Sequence, residues 1–233
     1  MKIGVIGPSD NEIMEFINKI CDVKIVEYAM LKFYIGNYEG VEVVAVICGV
    51  CKVNAAITTQ ILIDKFEVTH VILTGVAGGL DKKLKIGDTI ISNDIAHHDV
   101  SKEILIEYHP YMKDIYFRAN SQLINICEKI IKSKDISNKC YVGRIITGER
   151  FITNNEREEL IERFNPLCVD MESASVAHAC YVNNIPFVVI RSISDNADED
   201  ASNSFKNNVN IAALNSMKIT EEIIKELKFI GCN

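Results

Sequence analysis

The stretch Lys2-Ile3-Gly4-Val5-Ile6-Gly7-Pro8-Ser9-Asp10-Asn11-Glu12 opens on a nearly continuous apolar run and turns polar just before helical spacing begins. A short run that is apolar on both faces suits a strand covered on both sides of a sheet. Ile13, Phe16, Ile17 and Ile20 then recur at helical intervals. The pattern predicts a strand over Lys2–Gly7 that feeds a helix over Ser9–Ile20 through a tight turn, the repeating unit of an α/β fold.

Outward from this unit the alternation continues. Strands are expected over Val23–Tyr28, Leu31–Ile35 and Glu42–Cys48, followed by a helix over Lys52–Phe66. Val68–Thr74 reads as a buried strand ending in a glycine turn, Gly75-Val76-Ala77-Gly78-Gly79, and Ile86–Ile95 as the next strand. The second half offers helices over Asn120–Lys132, Asn154–Phe164, Glu172–Asn183 and Ser204–Lys228, with strands at Tyr141–Thr147, Leu167–Asp170 and Pro186–Ser194. No proline-rich, glycine-rich or low-complexity linker and no internal repeat divides the chain, so one α/β domain spanning 1–233 is expected, a mixed or largely parallel sheet with helices on both faces. Ligands of such sheets bind at the carboxyl ends of the strands.

Composition narrows the function classes. With 233 residues, 48% of them hydrophobic and 24% charged, the chain buries a substantial core, which excludes disorder and fibrous repeats. A net charge of -7 and the absence of any cluster of Lys or Arg with aromatics argue against nucleic acid and favour a small neutral or zwitterionic substrate. No eighteen consecutive apolar residues and no basic segment before a cleavable apolar run occur, so the reading is cytoplasmic, with no membrane partner. Cys21, Cys127, Cys168 and Cys180 lie singly in the chain and read as buried thiols. Cys48 and Cys51 have the spacing of a redox or zinc half-site, but no second pair follows, and His97-His98 is accompanied only by Asp99; no metal is expected.

Four carboxylates stand at strand ends. Ser9-Asp10-Asn11-Glu12 reads in two ways, as a capping box in which Ser9 and Glu12 satisfy amides of the first helical turn, or with Glu12 facing the ligand crevice as a general base. Gly75 to Gly79 lets backbone approach a ligand closely, yet it is no P-loop, and Gly4 to Gly7 lacks dinucleotide spacing, so no nucleotide cofactor is expected. Asp170, Met171 and Glu172 sit where a strand meets a helix; they read either as a helix cap with filler or as a carboxylate pair for vicinal sugar hydroxyls with methionine on the sugar's apolar face. Arg191 lies in an otherwise apolar run and needs those acids as partners if buried. Asp195, beyond Ser194, reads either as a turn aspartate or as an acid kept protonated in a low-dielectric pocket.

Taken together, Gly4 to Gly7 with Glu12, Thr74 to Gly79, Phe151-Ile152, Val169 to Glu172, and Arg191 to Asp195 with Phe205 resemble the 5'-methylthioadenosine/S-adenosylhomocysteine nucleosidase family over essentially the whole chain. The resemblance implies a three-layer αβα, nucleoside phosphorylase-like fold and a homodimer without a cofactor. It also implies hydrolysis of an adenine nucleoside to adenine and a 5-substituted ribose in methionine salvage, with 5'-deoxyadenosine as a further candidate substrate. It implies Asp195 as the acid protonating adenine N7 and Glu12 as the base activating water. Glu172 would hold ribose hydroxyls, Met171 would pack on ribose, Phe151 would stack on adenine, Ile152 would meet the base through its backbone and Gly78 would line the site. Val50, Val76, Ala77, Asp170, Arg191, Ser194 and Phe205 complete the expected binding set, and Leu105 is a further candidate wall. Val76 stands where serine or threonine is common in the family, and Asp170 where glutamate is.

The chemistry has independent sense: glycosidic cleavage passes through an oxocarbenium-like state served by two carboxyl groups in different protonation states. A phosphorylase would need cations around phosphate, and no arginine precedes Arg118, which favours water as the acceptor. Futalosine hydrolase shares much of such a site. AMP nucleosidase would need a phosphate pocket, and a binding module without catalysis would not need both Glu12 and Asp195.

Overall fold

The computed structural model describes residues 1–133, 138–198 and 200–230. In chain order they form β1 (Lys2–Gly7), α1 (Asp10–Ile17), β2 (Cys21–Tyr28), β3 (Leu31–Tyr38), β4 (Val41–Ile47), α2 (Lys52–Phe66), β5 (His70–Gly79), β6 (Thr89–His97), α3 (Lys102–Glu107), β7 (Phe117–Arg118), α4 (Ser121–Ser133), β8 (Cys140–Thr147), α5 (Asn154–Phe164), β9 (Cys168–Asp170), α6 (Ser173–Val182), β10 (Phe187–Asp195) and α7 (Ala201–Ile230).

β1 lies between β4 and β5, parallel to both, which is why its sequence is apolar at nearly every position. Alternation then divides its side chains. Ile3 and Val5 join a core with Phe16 of α1, Ile126 of α4 and Ile223 of α7, while Ile6 faces Leu62 and Phe66 of α2 and Val176 of α6. Helices therefore cover both faces of a mixed sheet, giving three layers. β2, β3 and β4 form an antiparallel meander that leaves β2 as the exposed edge.

On the other side the sheet curls. β10 pairs parallel with β5 and antiparallel with β6; β6 pairs parallel with β8, β8 parallel with β9, and β9 returns antiparallel onto β5. This closure brings the carboxyl ends of β5, β9 and β10 together beside the end of β1.

Several expectations change. Gly75 to Gly79 is no turn: β5 runs on to Gly79 because β10 and β9 supply hydrogen-bond partners along that stretch. β3 extends to Tyr38, β6 begins at Thr89 after a turn at Lys85–Asp88, α1 stops at Ile17, and α7 covers thirty residues. The short α3 and β7 carry no periodicity long enough to predict them. Leu105, expected as a cavity wall, is buried on α3 in the main core and does not line the cavity of its own chain. The cysteines of the described residues are free, and Cys21 is exposed at the start of the edge strand rather than buried; Cys232 lies outside the described residues. No described helix is long and apolar enough to cross a membrane.

Candidate active site

Glu12 shares a helical face with Phe16, one turn on, so α1 carries a carboxylate on its buried stripe. The capping-box reading fails here. Ser9 is the N-cap residue, but its side chain takes no helical amide; its hydroxyl donates to Glu12 Oε2 at 2.6 Å. Glu12 Oε1 accepts the Val76 N–H at 2.9 Å across from β5 and lies 3.6 Å from Arg191 Nη1.

Arg191 is fully buried on β10, opposite Gly75 of β5. A Cβ on residue 75 would collide with both the Arg191 guanidinium and the Glu12 carboxylate, so glycine there is what allows the two to meet. Arg191 Nε donates to Asp170 Oδ2 at 2.7 Å and Nη2 to Glu172 Oε2 at 3.0 Å, while Nη1 is buried without a hydrogen-bond partner. Although burial opposes its charge, the three carboxylates hold the guanidinium firmly protonated.

Asp170 ends β9 and is saturated by protein donors. Oδ1 accepts Thr147 Oγ1 at 2.6 Å and the Ser173 amide at 3.2 Å, and Oδ2 accepts both Ser173 Oγ and Arg191. It therefore caps the start of α6 and anchors Arg191, combining two readings that the sequence left apart. Glu172 has freer geometry. Its Oε1 accepts the Cys51 N–H at 3.0 Å from the start of α2, and burial, opposed by Arg191, pushes its carboxyl up to about 7.

Asp195 ends β10 after a bulge between Ile193 and Asp195 that re-aims the strand's last side chain. Its Oδ2 accepts the Ser194 hydroxyl at 2.9 Å and Oδ1 the Ala197 N–H at 2.9 Å. Burial is the first cause raising its carboxyl above the usual range. A Cβ on residue 78 would come within 2.9 Å of Asp195 Oδ1, so Gly78 leaves room for that carboxyl. Burial raises Glu12 as well, but there Arg191, Ser9 and the Val76 amide pull against it.

These groups open onto one cavity of about 260 Å³. Glu12, Val50, Val76, Ala77, Gly78, Phe151, Ile152, Asp170, Met171, Glu172, Ser194, Asp195 and Phe205, all expected at the site, line it. Arg191, also expected there, does not; it stands behind the acids as their counter-ion. Pro8, Ser9, Arg150, Val169 and Ala197 line it too. Ser9 was visible only as a cap, and small or apolar residues such as Ala197 look like ordinary core in a sequence. Phe151 and Phe205 meet edge to face at 5.7 Å, joining the loop after β8 to the start of α7.

Other candidate chemistry is absorbed elsewhere. Burial pushes the Cys48 and Cys51 thiols up, away from the thiolate form that redox or zinc chemistry needs. His97 packs among the rings of Phe117 and His178, and Asp99 pairs with Lys52 at 2.7 Å. Among the described residues no three His, Cys, Asp or Glu side chains converge as metal ligands. Arg150, the cation on the cavity's lining, is a largely exposed side chain paired with Glu156.

Comparison with known proteins identifies the family. Residues 2–225 match the model of the phosphorylase superfamily. A 5'-methylthioadenosine/S-adenosylhomocysteine nucleosidase of Exiguobacterium is 38% identical, the alignment covering 98% of this chain and 99% of that one. The Neisseria meningitidis nucleosidase, solved in complex with methylthio-immucillin-A, superposes with a TM-score of 0.90 at 34% identity over 97% of this chain and 99% of that one. The futalosine hydrolase of Helicobacter pylori superposes at 0.89 with 29% identity, over 97% and 98% of the two chains. The chain belongs to the 5'-methylthioadenosine/S-adenosylhomocysteine nucleosidases of the phosphorylase superfamily.

Proposed function

We propose that Asp195 and Glu12 divide acid and base work in the family's reaction, hydrolysis of the N-glycosidic bond of 5'-methylthioadenosine and S-adenosylhomocysteine to adenine and the 5-substituted ribose. One observation carries the division. Both carboxyls line the same cavity and both are raised by burial, but only Glu12 lies beside a cation. Asp195, raised above the usual carboxylate range by burial, is the acid that delivers a proton to adenine N7 as the C–N bond breaks. Glu12, whose charged form Arg191 favours against burial, removes a proton from the water that attacks the anomeric carbon. Arg191 Nη1, 3.6 Å from Glu12 Oε1, faces that carboxylate from behind the cavity wall and favours its charged form.

Glu172 accepts the ribose hydroxyls, Met171 packs on the sugar, Phe151 stacks on adenine and the Ile152 backbone reads the base's edge. Asp170 acts at one remove, since its oxygens are occupied by Thr147, Ser173 and Arg191. Water is favoured over phosphate because Arg191 is held by three acids and Arg150 is exposed and paired. S-Adenosylhomocysteine and methylthioadenosine share the adenosine that these residues address, so both tails are accepted, and 5'-deoxyadenosine is a third substrate to assay.

A homodimer formed through the α2–α6 side is supported by Val53 and Ile57, exposed one turn apart on α2, and by exposed Tyr181 and Val182 on α6. The unbroken sheet from Lys2 to Asp195 supports a single domain, and a cytoplasmic setting is proposed from the scatter of single cysteines through the sequence.

The test is chromatography of methylthioadenosine and S-adenosylhomocysteine digests with and without phosphate, with inosine and futalosine as controls. Free adenine and free methylthioribose at equal rates in both buffers are expected. A sugar 1-phosphate formed only with phosphate overturns the hydrolytic reading, and hypoxanthine released from futalosine alone overturns the substrate. Glu12→Gln should keep adenine affinity within about tenfold and lose most turnover.

A further inference from the structure

We propose that Ser9 is a positioning residue for Glu12, its hydroxyl fixing the orientation of the carboxylate that acts as base. The inference rests on the role assigned to Glu12 above. Ser9 is the extended N-cap residue of α1, and a serine there ordinarily bonds an amide of the first helical turn. This one does not. Its carbonyl accepts the Glu12 N–H at 3.1 Å, which closes the turn through backbone alone and frees the hydroxyl to point at the Glu12 side chain.

The contact differs in kind from the others around Glu12. At 2.6 Å it has the length of a hydroxyl bonded to a charged carboxylate. Among the described residues Ser9 is the only side-chain or backbone donor to Oε2, while Oε1 has the Val76 amide and faces Arg191. One donor on each oxygen fixes a terminal torsion that is otherwise broad, and leaves the remaining lone pairs to the water. The charged groups facing Glu12 from neighbouring elements are Arg191 on β10, Asp170 at the end of β9 and Glu172 before α6. Ser9's hydroxyl bonds none of them, and it lines the cavity, so it acts on the base without disturbing the counter-ion cluster behind it.

Two isosteric variants separate positioning from packing: Ser9→Thr keeps the hydroxyl, whereas Ser9→Val removes it at the same volume. The readout is kcat/KM for methylthioadenosine across pH. Because the hydroxyl favours the charged carboxylate, its loss should move the acid limb of Ser9→Val up by about one unit, with about tenfold lost below the limb and recovery to within about threefold above it. Ser9→Thr should keep the wild-type limb, and Ser9→Ala should repeat the Ser9→Val shift, providing a second variant if valine prevents folding. An acid limb that stays put, or a loss equal at every pH, overturns the proposal. Glu12→Gln runs beside them: if it keeps turnover, the assignment of the base fails and this inference with it, whereas an inactive Glu12→Gln with unshifted Ser9 variants rejects only the role of Ser9.

Discussion

Glu12, Asp170 and Glu172 reach the cavity around a single buried guanidinium, whereas Asp195, among the described residues, reaches it bonded to a hydroxyl and an amide. Burial penalises charge in both halves, so what separates them is the compensation. Around Arg191 the Coulomb attraction opposes desolvation, although burial still raises Glu12 and Glu172; around Asp195, among the described residues, no cation opposes it and burial raises the carboxyl with only hydrogen bonds pulling against it. The difference teaches how one functional group, the carboxyl, would serve as both the proposed acid and the proposed base when the fold places a cation on one side only. Gly75 makes that asymmetry possible, since any side chain there would part Arg191 from Glu12.

Removing the cation should break the comparison most severely. Arg191→Met leaves three carboxyls in a buried cluster without a counter-charge, and an expected loss of about 3–5 kcal/mol should be read from urea unfolding at neutral pH. The deficit should shrink in acid, where the carboxyls are neutral. A variant as stable as the wild type would mean that the acids there need no cation, and the contrast between the halves would collapse.

Next in size are the proposed acid and base themselves. Glu12→Gln and Asp195→Asn should each lose about 10²- to 10⁴-fold in turnover, but on opposite limbs of the pH profile. A base must be ionised, so Glu12 governs the acid limb; an acid must be protonated, so Asp195 governs the alkaline one. Residual activity of Glu12→Gln should flatten on the acid side and that of Asp195→Asn on the alkaline side. Loss of the same limb in both would show that the two roles are not divided as proposed.

Glu172 sharpens the comparison through stability. Its carboxyl stands at about 7 when folded against an ordinary value near 4.5, so between those values the folded chain binds more protons than the unfolded one. The stability that Glu172 contributes is therefore complete below about pH 4.5 and is lost as pH rises through about 7. Glu172→Gln should lack this dependence, and the difference between the two unfolding free energies should change by about 1–3 kcal/mol over that window. Parallel curves would mean that Arg191 alone sets the charge of Glu172.

Much of this arrangement was legible in the chain, for reasons that vary with the element. Lys2–Gly7 and Phe187–Asp195 declare themselves because a strand buried on both faces leaves an unbroken apolar run. Arg191 announced its partners because a guanidinium inside such a run cannot stay unpaired. The closure of the sheet was hidden: that β10 bonds both β5 and β6 depends on partners distant in sequence, not on local composition. Thr74 to Gly79 misled for a different reason. Its glycines mark places where other side chains come close, yet glycine in a sequence equally signals a turn. Ser9 misled in the same way, since the spacing that makes a capping box also brings a hydroxyl within reach of a carboxylate.

The smallest expected effect concerns Val76, where the resemblance leads one to expect serine or threonine. The structure explains how a hydrocarbon serves there. Glu12 is held by the Val76 backbone N–H, which any residue but proline supplies, while the side chain packs with Val209, Ala212 and Ala213 of α7. Val76→Thr keeps the shape and the amide, so turnover should stay within about threefold of wild type. The new hydroxyl would enter an apolar cluster, and stability should fall by about 1–2 kcal/mol unless the hydroxyl finds a partner in the cavity. A large gain in turnover would show that the attacking water needs a side-chain donor at position 76, and would move part of the base half's work from Arg191 and Ser9 onto β5.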